Sequence, residues 1–271
     1  VRLHPLVDAA GVHVLRFLTM LAVLAIAGAV GIDGWYLGLV ANTAVSILAV
    51  VLMTRRRLWR SSGATVAWRS WAALVVLIPL AVEAISWALP SGLTERAPGY
   101  PLWALTLVLV GFNEELISRG VVLSRLREAY RPAVAVTFTG ALFGLQHLSA
   151  FALTSRAAGD ILGNVALSAI FGFALAAFQW RFRWIWPLIV VHATADFTTL
   201  LATEPLPDVV VGAAHVMLLT LGVVVPRWPH SPRDTRSAAR LEIRSSDAGA
   251  PRPIEADPRR SASLRTGRTS S

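Results

Sequence analysis

The chain of 271 residues contains no cysteine and no lysine. Without cysteine no disulfide and no thiolate site is possible, so any metal would have to be held by histidine and carboxylate. Charge is also scarce: 15% of residues are charged and 55% are hydrophobic, where a soluble domain carries about a quarter charged. The formal net charge of +9 is all arginine. So basic a chain suggests nucleic acid, but these arginines cluster at the ends of apolar runs and in the C-terminal tail, which speaks for membrane topology and against a nucleic-acid partner. Two hydrolase signatures are missing as well, a zinc helix of the H-E-x-x-H type and a G-x-S-x-G elbow. Asp196 is the one aspartate deep in an apolar run, which disfavours a paired-aspartate intramembrane protease. No repeat of fixed period is present, and no inverted pair of broken helices argues for a transporter.

What the chain does have is a succession of apolar runs of bilayer length. They predict an all-α, polytopic membrane bundle of about eight transmembrane helices. The expected spans are Leu15–Ile32 (with Arg16 near its start), Trp35–Met53, Trp71–Leu89, Leu102–Leu123, Ala133–Ala150, Ile161–Trp180, Ile185–Ala202 and Val209–Val225. Arg55, Arg56, Arg57, Arg60, Arg69, Arg125, Arg127, Arg131, Arg181 and Arg183 fall on one set of loops, and only Arg96 and Arg156 on the other. By the positive-inside rule both termini are expected in the cytoplasm. Trp59, Trp68, Trp71, Trp103, Trp180, Trp184 and Trp186 fall near span ends, as an interfacial belt would. The first run lacks a convincing cleavage site and reads as a retained anchor. The domain division is therefore a transmembrane part, 1–225, and an Arg/Ser/Pro-rich tail, 226–271, expected to be disordered.

Ionisable residues inside these runs are costly and point to function. Glu114, Glu115 and Arg119 lie on the fourth span, His147 on the fifth, and His192 and Asp196 on the seventh. Glu115 and Arg119 are four apart, share a helix face and are expected to pair. Glu114 points about 100° away and has no cation at i+4, because position 118 is serine. It is the less committed carboxylate and the candidate general base for a water. His192 and Asp196 are also four apart, so the carboxylate can orient the imidazole or join it on a metal. A zinc ion would accept His147, His192 and a carboxylate such as Asp196, leaving a position for water. A metal-free arrangement is equally consistent: Glu114 and His147 activate the water, while His192 and position 196 steady the oxyanion. Counting about 1.5 Å per residue from the cytoplasmic ends, Glu114 lies at about 16 Å, His192 at about 10 to 12 Å and His147 at about 20 Å, a loose match in depth. Gly140 and Gly144 form a small-xxx-small pair expected to bring His147 close to a neighbouring helix. His215 reads as structural, Asn164 as an interhelical hydrogen bond, and Glu83 as a lone acid that lines a water-filled cavity or accepts from a neighbouring helix, without chemistry.

The order E-E-x-x-x-R, F-x-x-x-H and H-x-x-x-N/D on successive apolar helices resembles the CAAX-protease and bacteriocin-processing family of intramembrane endopeptidases, the Abi or type II CAAX prenyl endopeptidase group. The resemblance covers about 102–203. It implies Glu114 as the water-activating base, Glu115 and Arg119 as its neighbours, and His147, His192 and Asp196 as the rest of the site. Members of the family have been described both as metalloproteases and as metal-independent glutamate proteases. The last position is often Asn in the family, and Asp196 cannot donate a hydrogen bond unless protonated, which favours a ligand or His-orienting role. The expected function is cleavage of membrane-bound or lipid-modified peptides near the cytoplasmic side of a bacterial plasma membrane. The alternative is a non-catalytic membrane protein of the same fold acting in bacteriocin self-immunity or regulation.

Overall fold

A computed structural model of the chain describes residues 4–228. The tail expected to be disordered lies outside the described residues, apart from 226–228. Among the described residues the architecture is all-α, with a lone antiparallel bridge between Leu93 and Ala202 as its β contact.

Eight helices follow the eight apolar runs. They are α1 (Pro5–Ala29), α2 (Trp35–Arg55), α3 (Trp71–Ser86), α4 (Tyr100–Glu115, continuing through a π-helical stretch Leu116–Val122 into Leu123–Arg127), α5 (Pro132–Leu145), α6 (Ala158–Phe182), α7 (Ile185–Leu201) and α8 (Asp208–Val224). A 3₁₀ turn, Gln146–Ser149, follows α5 and leads into the short helix Ala150–Leu153. Proline sits at the first turn of α1, α4 and α5, where its missing N–H is harmless. Ser70 caps α3 by accepting from the Ala73 amide at 3.1 Å.

Five helical stretches are long and apolar enough to cross a bilayer: Pro5–Ala29, Trp35–Arg55, Pro132–Leu153, Ala158–Phe182 and Asp208–Arg227. The helices Trp71–Ser86 and Ile185–Leu201 are apolar but shorter. Large apolar side chains also cover the outside. Val209, Val216 and Val223 make an outward stripe along α8, and Val75, Ile78 and Val82 do the same on α3. Helices apolar on both faces suit a lipid surround rather than water. The protein is a multi-pass membrane protein.

The arginine-rich loops gather at one end. Arg56 of α2 holds Asp8 of α1 through two hydrogen bonds, at 2.7 and 3.0 Å, and Arg125 reaches the same carboxylate at 3.5 Å. Trp68 stacks edge-on against both Trp71 and Trp184 there.

The central helix is α4, which packs against α2 on one side and α7 on the other. All seven residues of its π-helical stretch, Leu116–Val122, are buried. Gly111 lets α7 approach closely, because a Cβ there would lie 2.9 Å from the Ile189 carbonyl oxygen. The expected close packing of Gly140 and Gly144 is found against α6. A Cβ on Gly144 would meet the Val165 carbonyl oxygen at 2.5 Å, and one on Gly140 would meet Phe173 Cα at 2.8 Å. Because the obstacle at Gly144 is backbone, Gly144→Leu is expected to push α5 off α6 and destabilise the protein by about 1–3 kcal/mol or more. A lowered melting temperature in detergent checks this; an unchanged one would mean that the helices do not touch there.

Two boundaries differ from the sequence expectation, and both matter. The first helix begins at Pro5 rather than Leu15, so Arg16 lies in the middle of α1 and not at its start. The fifth helix stops at Leu145, so His147 sits in the 3₁₀ turn and not on a continuous helix. The tighter turn gives the histidine a direction that a continued α-helix would not.

Candidate active site

The six motif residues meet. Glu115 and Arg119 form the expected i, i+4 pair at 3.0 Å, with both side chains fully buried. Arg119 also donates to the Gly172 carbonyl at 3.3 Å and lies 4.2 Å above the Phe143 ring. His192 is the hub. Its Nδ1 donates to Glu115 Oε1 at 2.8 Å. Its Nε2 lies 3.5 Å from Asp196 Oδ2 and 3.8 Å from Glu114 Oε2. Phe143 and Phe171 pack edge-on against the ring, which fixes its plane. The π-helical widening of α4 begins one residue after Glu115, at the point where its two acidic side chains must serve different partners; such local widening is common at functional sites.

Glu114 is not the uncommitted carboxylate that local spacing suggests. Arg16 of α1 donates to its Oε1 at 2.5 Å, and both side chains are only 7% exposed. Its Oε2 accepts from Gln146 Nε2 at 2.9 Å. Gln146 Oε1 in turn accepts from His13 Nδ1 at 3.2 Å. His13 and Arg16 are three apart on α1 and so share a face. Neither was expected in the site. The one available signal was Arg16 itself, an unpaired guanidinium within an apolar run, which needs an intramembrane anion.

His147 donates from Nδ1 to the Phe143 carbonyl at 3.0 Å, and its ring stacks edge-on against Phe143. Both motif histidines therefore have Nδ1 tied down and Nε2 left over. His147, His192 and Asp196 share the wall of one cavity of about 190 Å³, together with Glu83, Asn164 and His215. Glu114 does not line it; it lies behind His192. Glu83 thus lines a cavity, one of the two readings its sequence position allows, His215, read as structural, joins it there, and Asn164 accepts from Ser168 of its own helix at 3.5 Å where an interhelical bond was expected.

The cavity lies in the half of the bundle away from the arginine-rich loops. Glu83 and Asp196 are late in α3 and α7, which start at that end, and Asn164 is early in α6, which starts at the opposite end, while His192 and His215 lie near mid-helix.

A catalytic zinc-type metal needs three protein ligands and an open position for water. A tied Nδ1 with a free Nε2 is how ligating histidines are held. Among the described residues, however, no three His, Asp or Glu side chains gather closely enough to hold an ion. The residues as placed do not make a ligand set.

Residues 96–198 match the family model described as Type II CAAX prenyl endopeptidase Rce1-like. This central region is similar to that family. A search of curated proteins and a search of solved structures each return no match. The Rce1-like region begins just before α4 and ends late in α7, so it contains all six motif residues. His13, Arg16, Glu83 and His215 come from helices outside it, and they complete the surroundings of the Rce1-like motifs.

Proposed function

We propose that the protein is an integral-membrane endopeptidase that hydrolyses peptide bonds of membrane-associated or lipid-modified substrates. The observation that carries this reading is the convergence on His192: three carboxylates within 3.8 Å of one imidazole, at the wall of a cavity shared with a second imidazole. In this reading a water enters between Glu114 and the Nε2 atoms of His147 and His192. Glu114 takes one proton from the water as its oxygen attacks the peptide carbonyl carbon. His192, as an imidazolium beside three carboxylates, steadies the oxyanion with its Nε2–H, the C–N bond breaks, and the proton on Glu114 passes to the leaving amine. Gln146 and Arg16 hold the carboxylate in place, Glu115 fixes the orientation of the His192 ring, and Arg119 balances Glu115. Asp196 orients the other face of the His192 ring.

A second cavity, of about 370 Å³, lies between α1 and the 3₁₀ turn after α5. Its wall is mostly apolar (Val14, Phe17, Leu142, Phe151), with His13 and Gln146 as polar contacts leading to Glu114. This supports a substrate with an apolar attachment. A bacterial plasma membrane with both termini inside is the setting we infer from arginine placement.

The competing reading is a non-catalytic protein of the same fold, acting in self-immunity or regulation. It is favoured by the engagement of both Glu114 oxygens and by the absence of Glu114 from the cavity wall. Quenched fluorescent peptides, with and without a lipid attachment, offered to purified wild type and His147→Ala decide between the two. Cleavage by wild type, with at least about a hundredfold loss in the variant, is expected for general acid–base chemistry. Equal signals from the two would leave the non-catalytic reading. The metal content of both preparations is read alongside.

A further inference from the structure

Glu83 has a different electrostatic position from every other buried carboxylate in the bundle. Glu114 has Arg16, Glu115 has Arg119, and Asp196 has His192. Glu83 is 6% exposed and has no ion pair among the described residues. Its Oε1 accepts from Trp87 Nε1 at 3.0 Å. Its Oε2 is buried with no hydrogen-bond partner, and the side chain lines the cavity that holds His147, His192 and Asp196.

No arginine lines that cavity, and the chain has no lysine to supply. The other titratable group added from outside the family region is His215. Its Nδ1 donates to the Val211 carbonyl at 2.7 Å, so it too is anchored with Nε2 remaining. A carboxylate withdrawn from water with half its acceptor capacity unused is costly. In a membrane helix such a group marks a place where something charged or strongly donating is received. An anionic ligand would meet two carboxylates, Glu83 and Asp196, with only histidines to offset them. A cationic one would complete the set.

We propose that Glu83 is a specificity-determining residue whose Oε2 receives the cationic side chain, lysine or arginine, of a peptide held in the cavity. The inference rests on the peptidase reading, because the cavity is then the place where the substrate lies beside the scissile bond. Trp87 holds the carboxylate in position through Oε1. The preferred substrates are therefore peptides with a basic residue close to the bond that is cut.

Equilibrium binding tests this without turnover. Two fluorescent decanoyl-anchored peptides, identical except for lysine or norleucine, are titrated against wild type, Glu83→Gln and Glu83→Asp in detergent, with anisotropy as readout. Wild type is expected to bind the lysine peptide about tenfold more tightly, the order of effect for a desolvated charge pair. Glu83→Gln keeps the size of the side chain and an acceptor for Trp87, and is expected to lose the preference. Glu83→Asp keeps the charge and is expected to retain part of it. Equal binding of the two peptides by wild type, or a preference that survives in Glu83→Gln, would overturn the assignment. The wild-type comparison stands even where a variant fails to fold. Absence of the preference in wild type with peptide cleavage intact would remove this inference alone; a clear preference with no cleavage of either peptide would remove the peptidase reading instead.

Discussion

Glu114→Gln is expected to abolish peptide cleavage and at the same time to destabilise the bundle. Activity should fall by about a hundredfold to ten-thousandfold, the range for loss of a general base. Stability should fall because Arg16, 7% exposed at the side chain, then has no anion; breaking a buried pair by removing one partner costs about 3–5 kcal/mol. The double variant Arg16→Met/Glu114→Gln separates the two effects. With the stranded charge gone, its melting temperature should return toward that of wild type, since an apolar replacement of both partners of a buried pair is often neutral. Its cleavage activity should stay absent. Recovery of both would show that the pair only holds α1 against α4.

Arg119 is expected to be the most sensitive single position for folding. Its side chain is fully buried, paired with Glu115, bonded to the Gly172 carbonyl and stacked on Phe143. Arg119→Met leaves the buried Glu115 carboxylate with only His192 and should cost about 3–5 kcal/mol. Arg119→Lys should rescue little of it. A lysine ammonium is a point charge that cannot reach a carboxylate and a carbonyl in fixed geometry while lying flat on a ring. Melting temperatures in detergent read both; a wild-type value for Arg119→Lys would mean that charge alone is needed there.

The helical architecture and the motif pairs were legible in the sequence because they depend on short-range regularities. Apolar runs separated by arginine clusters give the eight helices. A spacing of four gives Glu115 with Arg119, and His192 with Asp196. The small pair Gly140 and Gly144 gives the tight contact with α6. What was not legible comes from long-range neighbours and from departures from ideal helix. Arg16 and Glu114 are 98 residues apart in sequence, and no periodicity connects them. The unexpected early start of α1 hid the fact that Arg16 sits at mid-depth. The 3₁₀ turn that carries His147 and the π-helical stretch of α4 reset the side-chain directions that straight helices predict. Glu83 and His215 looked isolated because the titratable groups they share a cavity with come from other helices, while locally they bond only Trp87 and the Val211 carbonyl.

The dependence of the motif on α1 also explains why the site is larger than the Rce1-like region. Residues 96–198 hold the six motif residues. The charge that neutralises Glu114 and the imidazole that orients Gln146 are supplied by Arg16 and His13, outside it.

The most direct test of the central claim is hydrolysis of a lipid-anchored peptide in ¹⁸O-labelled water, followed by mass spectrometry, for wild type and for Arg16→Met/Glu114→Gln matched in melting temperature. The account predicts that wild type releases a fragment with ¹⁸O in its new carboxylate, and that the double variant releases none. Equal release of labelled fragment by the double variant would contradict it, because the hydrolysis would then not pass through Glu114.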